Sequence, residues 1–541
     1  MKRFFKKHYI LTSLAVGFFF IGVSFRNDFF EIAKQIEIFT ETFKTVNQNY
    51  VDETNPGELM NVALKGMLSE LDPYTVFFNE QDVLRFKINN TGEYTGIGAL
   101  VQRIDGHVLL KEVYKGFSAD KAGLKAGDEI IQINDINLRE YKEDASQLLR
   151  GSKSSKVNIQ YLRQGKKLST EIVLNEVGIK AVPFHKLLDN NVGYIVLTKF
   201  TETASKEVRS AFLDLKGQGA TKIILDLRGN PGGLLHEAVN ICNLFVPKDE
   251  IIVTTKSKNE KHNNTYRTTS QPLDLEIPLA VIVDGKSASA SEIVSGALQD
   301  LDRAVILGSR SFGKGLVQRP LNLSYGTQVK VTISRYYTPS GRCIQALDYS
   351  RKDENGKAIK KTQEEFNAFK TKKGRTVYDG GGIQPDIAIA ETKISPITDA
   401  LLKNNAIFDF ATQLYYQKPN VNSVSDADFI AFKTFVKKDK YKLDTETEIA
   451  LELLLEKAKK EKIDGVIATQ YQQLEQKIKQ SEEEEISKYK TEISKQIEEE
   501  LIIRNQCREG LYSSYTEKNI EIKKAKDILN NITEYKSILK Q

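Results

Sequence analysis

Between residues 178 and about 390, short β-branched runs alternate with stretches of helical character. NVGYIVLTKF, KIILDL, LAVIVD and RAVILG are separated by SKEVRSAFLDLKGQ, LLHEAVNICNLF and SEIVSGALQDL. Strand–helix alternation at this spacing predicts an α/β core with crossover connections. Within it, residues 350–376 (SRKDENGKAIKKTQEEFNAFKTKKGRT) are polar and read as a surface insertion. A chain of 541 residues exceeds what one core organises, so two to four domains are expected.

The flanks have other periods. Residues 1–26 combine a basic start, MKRFFKKHY, with the uncharged run ILTSLAVGFFFIGVSF. This is the pattern of a signal peptide or signal anchor. No A-x-A cleavage pattern follows, which favours an uncleaved anchor with its positive flank in the cytoplasm. The rest of the chain would then lie in the cell envelope, on the periplasmic side of the inner membrane. Residues 27–81 carry apolar residues at helical spacing, and an Asp72-Pro73 pair closes them. Residues 82–176 read as short alternating strands, one small helix and glycine turns. From 396 to 541, Lys, Glu, Gln and Leu dominate and predict helices, read as a solvated appendage with the run Glu482 to Glu485 on its solvent face. The fold class is therefore multidomain α+β: an α/β core, an inserted β domain, and helical N- and C-terminal segments.

Two residues of the core carry a chemical possibility. Ser289 lies in KSASASEIVSGALQD, between the strand LAVIVD and a helical run, and Lys314 lies 25 positions later in SFGKGLVQ. A strand-to-helix turn displays a nucleophile, and the helix's free N–H groups can stabilise an oxyanion. A serine hydroxyl needs a base, and a desolvated lysine can supply one; glycines on both sides of Lys314 permit close backbone approach. None of the five histidines sits in a comparable turn. Ser287 and Ser291 compete with Ser289, and Glu292 would make Ser289 a helix cap through a capping box. The turn RGNPGG exposes backbone N–H groups; no GK[ST] follows, so it is not a phosphate loop.

Several blocks in one order, LRGNPGG, SASASEI, ALQD, FGKGLVQ, YYTPSGRCIQ and GGGIQPD, resemble the C-terminal processing peptidases, or tail-specific proteases. The resemblance runs from about residue 30 to 390. It implies a Ser-Lys protease core (177–395) and a PDZ domain (82–176). Among the three serines it selects Ser289 as nucleophile, with Lys314 as general base and Gln318 orienting the amine. Asp300 matches a position sometimes placed in the charge relay, with tying the end of its helix as the alternative role. One of Gly232 or Gly233 would pair with the N–H of Ala290 as the oxyanion hole. Gly96, Ile97 and Gly98 would form the loop that receives a peptide's terminal carboxylate while the peptide adds a strand. The expected activity is a serine endopeptidase acting on proteins with free C-terminal tails; a non-catalytic PDZ scaffold on a protease-like fold is the alternative.

Composition narrows the rest. Three widely spaced cysteines with no CxxC argue against a zinc site and against a disulfide framework, and no cofactor or metal is implied. A net charge of +6 is mild for this length and does not suggest nucleic acid. Expected partners are protein or peptide substrates and the inner membrane; a homo-oligomer or an adaptor is left open. An SxxK penicillin-binding arrangement is disfavoured, because it would place serine and lysine on one helix.

Overall fold

The computed structural model describes residues 29–390, 394–437, 441, 443 and 445–541. The expected anchor, residues 1–26, lies outside them, and no helix among the described residues is long and apolar enough to cross a membrane. The chain divides into two compact units.

The first comprises the described residues up to Asn79 together with Pro320–Val331. Residues 29–49 are helical. The helix Pro56–Ser69 starts with proline in its first turn, and Asn55 caps it by accepting the Glu58 N–H at 3.2 Å. Asp72 accepts the N–H groups of Tyr74 and Thr75, both at 2.8 Å, folding the turn into Val76–Phe78. That strand pairs antiparallel with Gln328 to Lys330.

The second unit holds three cores. In the β domain, five antiparallel strands run Ala99–Ile104, His107–Val113, Glu129–Ile133, Lys156–Arg163 and Lys166–Val173. They close over Ile97, Leu110, Leu124, Ile130, Ile159 and Ile172. The helix Glu80–Thr91 precedes them and straddles the boundary at 81/82 read from sequence.

The α/β core is a six-stranded sheet ordered Phe184–Leu188, Val192–Val196, Lys222–Asp226, Leu279–Val283, Val305–Gly308 and Ile387–Ala388. The first pair is antiparallel and the other pairs are parallel, as crossover connections require. Helices Ala204–Gly217, Leu235–Cys242 and Ala290–Asp300 cover one face.

The opposite face corrects the expectation of a solvated tail. Ile522, Ala525, Ile528, Leu529, Tyr535 and Leu539 pack against Tyr194, Ile224, Ala280, Ile282 and Leu307 with no more than 3% exposure on any of them. The Tyr535 hydroxyl, buried in the sheet face, accepts the Leu279 N–H at 3.0 Å. Ile397, Phe410, Phe432, Ile493, Ile497 and Leu501 belong to a separate core. Glu482 is not simply on a solvent face: it meets Glu448 of the helix Glu446–Glu461, and burial lifts its carboxyl to about 7. The β domain is joined to these helices. Arg508 grips both Glu112 carboxylate oxygens at 2.7–2.9 Å, and the Lys111 ammonium lies 3.3 Å from the centre of the Phe408 ring.

Candidate active site

Ser289 caps the helix Ala290–Asp300 immediately after the strand Leu279–Val283 and its turn. Asp284 shapes that turn, accepting the N–H groups of Gly229, Lys286 and Ser287 at 3.0 Å each. The three serines separate by environment. Ser287 donates its hydroxyl to Leu227 O at 2.8 Å, Ser291 donates to Asn230 O at 2.9 Å, and both are fully buried. Ser289 alone of the three is partly exposed. It also has φ +54° and ψ −112°, whereas an ordinary N-cap is extended. A non-glycine residue pays for this conformation, and the cap alone does not account for it.

Glu292 closes the capping box and does more. Its Oε2 accepts the N–H groups of Ser289 at 2.8 Å and Lys314 at 2.9 Å. Its Oε1 accepts the Gly313 N–H at 2.7 Å and the Ser311 hydroxyl at 2.6 Å. One buried carboxylate thus joins the serine turn to the lysine loop. Burial pushes its pKa up, and the four donors pull it back. Lys314 is half-buried between two glycines with no room for side chains. A Cβ on Gly313 would lie 2.5 Å from the Ala346 Cβ, and one on Gly315 would lie 2.9 Å from the Gln345 N.

Gln318 lies on the next strand, Leu316–Asn322, and donates its amide to Thr332 Oγ1 at 3.1 Å. Asp300 is not brought to the serine. It stands at the far end of the same helix, roughly 16 Å away at 1.5 Å per residue. Fully buried, it pairs with Arg342 at 2.8 Å and accepts the Ser340 N–H at 3.0 Å and the Thr338 hydroxyl. These bonds join the end of the helix to the segment TPSGR.

The RGNPGG turn packs against Ser289. A Cβ on Gly232 (φ +97°) would stand 2.6 Å from Ala288 O and 2.9 Å from Ala290 N. Asn230 is the pivot: its side chain donates to Leu197 O and accepts the Gly232 N–H at 2.9 Å, and its carbonyl accepts the Ala288 N–H. In the β domain, Ile97 is buried and Gly98 has φ +74°, a turn conformation natural to glycine. Arg150 lies over the Tyr94 ring, 5.5 Å from its centre. Sequence reading saw Glu292 only as a cap.

A crossover α/β core with a serine on a strained turn, joined to a PDZ domain, defines a class of peptidase. Family models match in the corresponding order: the activating protease CtpB N-terminal domain over 24–82, a PDZ domain over 110–163, peptidase family S41 over 191–350, and the probable PDZ-protease C-terminal helical domain over 397–529. The carboxy-terminal processing protease CtpA of Bacillus subtilis (strain 168) is 29% identical over 423 residues, 76% of this chain and 85% of that protein. A probable CtpA-like serine protease of Staphylococcus epidermidis (strain ATCC 12228 / FDA PCI 1200) is 32% identical over 306 residues, 56% of this chain and 62% of its own length. The solved photosystem II D1 C-terminal processing protease is 27% identical, covering 60% of this chain and 90% of that one, with a TM-score of 0.34. The chain belongs to the C-terminal processing proteases of peptidase family S41.

Proposed function

We propose that the protein is a serine endopeptidase that selects free C-terminal tails and cleaves near them, with Ser289 as nucleophile and Lys314 as general base. The observation that carries this reading is Glu292, whose carboxylate holds the main chains of Ser289 and Lys314 on one oxygen. Ser289 Oγ attacks the scissile carbonyl carbon while neutral Lys314 takes the hydroxyl proton. The oxyanion is received by the N–H groups of Gly233 and Ala290. Collapse breaks the C–N bond, and the Lys314 ammonium returns its proton to the leaving amine. Water then attacks the acyl-enzyme, Lys314 takes one of its protons, and release of the acid restores the Ser289 hydroxyl. Gln318, on the adjoining strand, is the candidate to orient the amine.

Tail selection falls to the Gly96–Ile97–Gly98 loop, whose N–H groups suit a terminal carboxylate. The tether through residues 1–26 and the periplasmic location belong to the same proposal and rest on the sequence of that segment. The test is cleavage of an unfolded protein ending in an apolar residue by the part of the chain from Asn27. Ser289→Ala and Lys314→Ala should each abolish turnover, and the double variant should be no worse than either. Normal cleavage by Ser289→Ala refutes the nucleophile. Equal cleavage of free-acid and amidated peptides refutes tail selection and leaves the serine chemistry standing.

A further inference from the structure

The turn that carries Gly232 and Gly233 is secured from two directions. On the serine side, Leu227 O, Asn230 and the Gly229 N–H bond to the 284–291 segment. On the other side the anchor is Arg228. Its Nε lies 3.0 Å from Asp226 Oδ1, and Asp226, at the end of its strand, is also held by the Tyr194 hydroxyl at 2.6 Å. Nη2 also bonds to Asp226, through Oδ2, and the third nitrogen, Nη1, leaves the core altogether. It reaches Asn519 Oδ1 at 2.9 Å and Glu521 Oε2 at 3.3 Å, at the start of the helix Ile520–Asn530. The Arg228 side chain is 17% exposed and Glu521 22%. Tyr512 and Tyr515, from the preceding helix Lys490–Lys518, pack against the same sheet face.

This contact is more than adhesion between layers. The apolar side of Ile520–Asn530 already docks on the sheet through Ile522, Ala525, Ile528 and Leu529. Arg228, by contrast, is two residues from Asn230, the residue that sets the Gly232 N–H. A guanidinium with donors spread over a rigid fork fixes direction as well as distance. With Asp226 on one edge and Asn519 and Glu521 on the other, the Arg228 backbone has little freedom to tilt. We propose that Asn519 and Glu521 are positioning residues of the protease site: through Arg228 they fix the 227–233 turn, which makes the C-terminal helices part of the catalytic unit. The proposal rests on the peptidase reading above.

The experiment uses the full chain. Asn519→Ser with Glu521→Ala removes both acceptors from Arg228 and keeps a helix-capping side chain, because Asn519 also caps Ile520–Asn530. Asn519→Asp keeps cap and acceptor. Lys526→Ala, on the same helix but bonded to Asp189, perturbs docking without touching Arg228. Turnover is measured with a free-acid peptide, alongside affinity for a peptide aldehyde, whose carbonyl adds the Ser289 hydroxyl reversibly and places its oxygen in the oxyanion position. The double variant should lose roughly tenfold in kcat with KM unchanged, since small misplacement of a catalytic group has effects of this order or larger. Aldehyde affinity should fall by the same factor with the melting temperature held, while Asn519→Asp and Lys526→Ala stay at the unaltered level. Unchanged kcat and aldehyde affinity in the double variant overturn the proposal, as does a loss that merely tracks a lower melting temperature or that Lys526→Ala reproduces. An unaltered protein that cleaves nothing refutes the peptidase reading instead.

Discussion

Replacing Glu292 by glutamine changes almost no volume, so its effect isolates the role of the charge and of its four donors. The carboxylate accepts from Ser289 N, Lys314 N, Gly313 N and Ser311 Oγ. An amide keeps one accepting oxygen and presents an NH2 group in place of the other. If the NH2 group takes the Oε2 position, it faces two backbone N–H groups and nothing there can accept. If it takes the Oε1 position, it faces the Gly313 N–H and a Ser311 hydroxyl that already accepts the Ile383 N–H at 2.6 Å. Either way about two buried donors lose their acceptor, at ~1–3 kcal/mol each. Relief of the buried charge, which burial makes costly, offsets part of this. The expected net destabilisation is about 2–4 kcal/mol. Because the orphaned groups flank Ser289 and Lys314 themselves, kcat should fall by about a hundredfold or more. Thermal unfolding and peptide turnover measure the two effects. A Glu292→Gln protein as stable and as active as the unaltered chain would refute the claim that this carboxylate holds the two loops in register.

Glu482 offers a pH test. Its folded carboxyl titrates near 7 against an ordinary 4.5, so the folded state holds the proton longer and stability falls as pH rises from 4.5 to 7. Two and a half units would be worth about 3 kcal/mol, and the half-exposed setting reduces this to roughly 1 kcal/mol. Glu482→Gln should therefore stabilise the 446–488 helix pair at pH 8 and not at pH 5, measured by urea unfolding; equal effects at both pH values would remove the assignment.

The strands of the core were legible because burial on both faces leaves continuous apolar runs, as in Val192–Val196 and Leu279–Val283. The serine turn was legible for the same reason, since it follows such a run and opens a helix. Asp300 shows what block order leaves out. Its place in ALQD suggested chemistry, yet eleven residues of continuous helix from Ser289 carry it to the opposite end, where Arg342 waits. The C-terminal helices were legible as helices and illegible as a layer. Their apolar residues Ile522, Ala525, Ile528 and Leu529 are scattered among lysines, and nothing local states that a sheet face lies open some 215 to 337 positions earlier. Arg228 is the same problem at the scale of one side chain. Asp226, two residues before it, is visible as a partner, but Asn519 and Glu521 lie 291 and 293 residues away. A local pattern constrains what a segment becomes. What a buried polar group requires is a partner, and the partners that organise this site, from Glu292 to Glu521, come from segments that only the fold brings together.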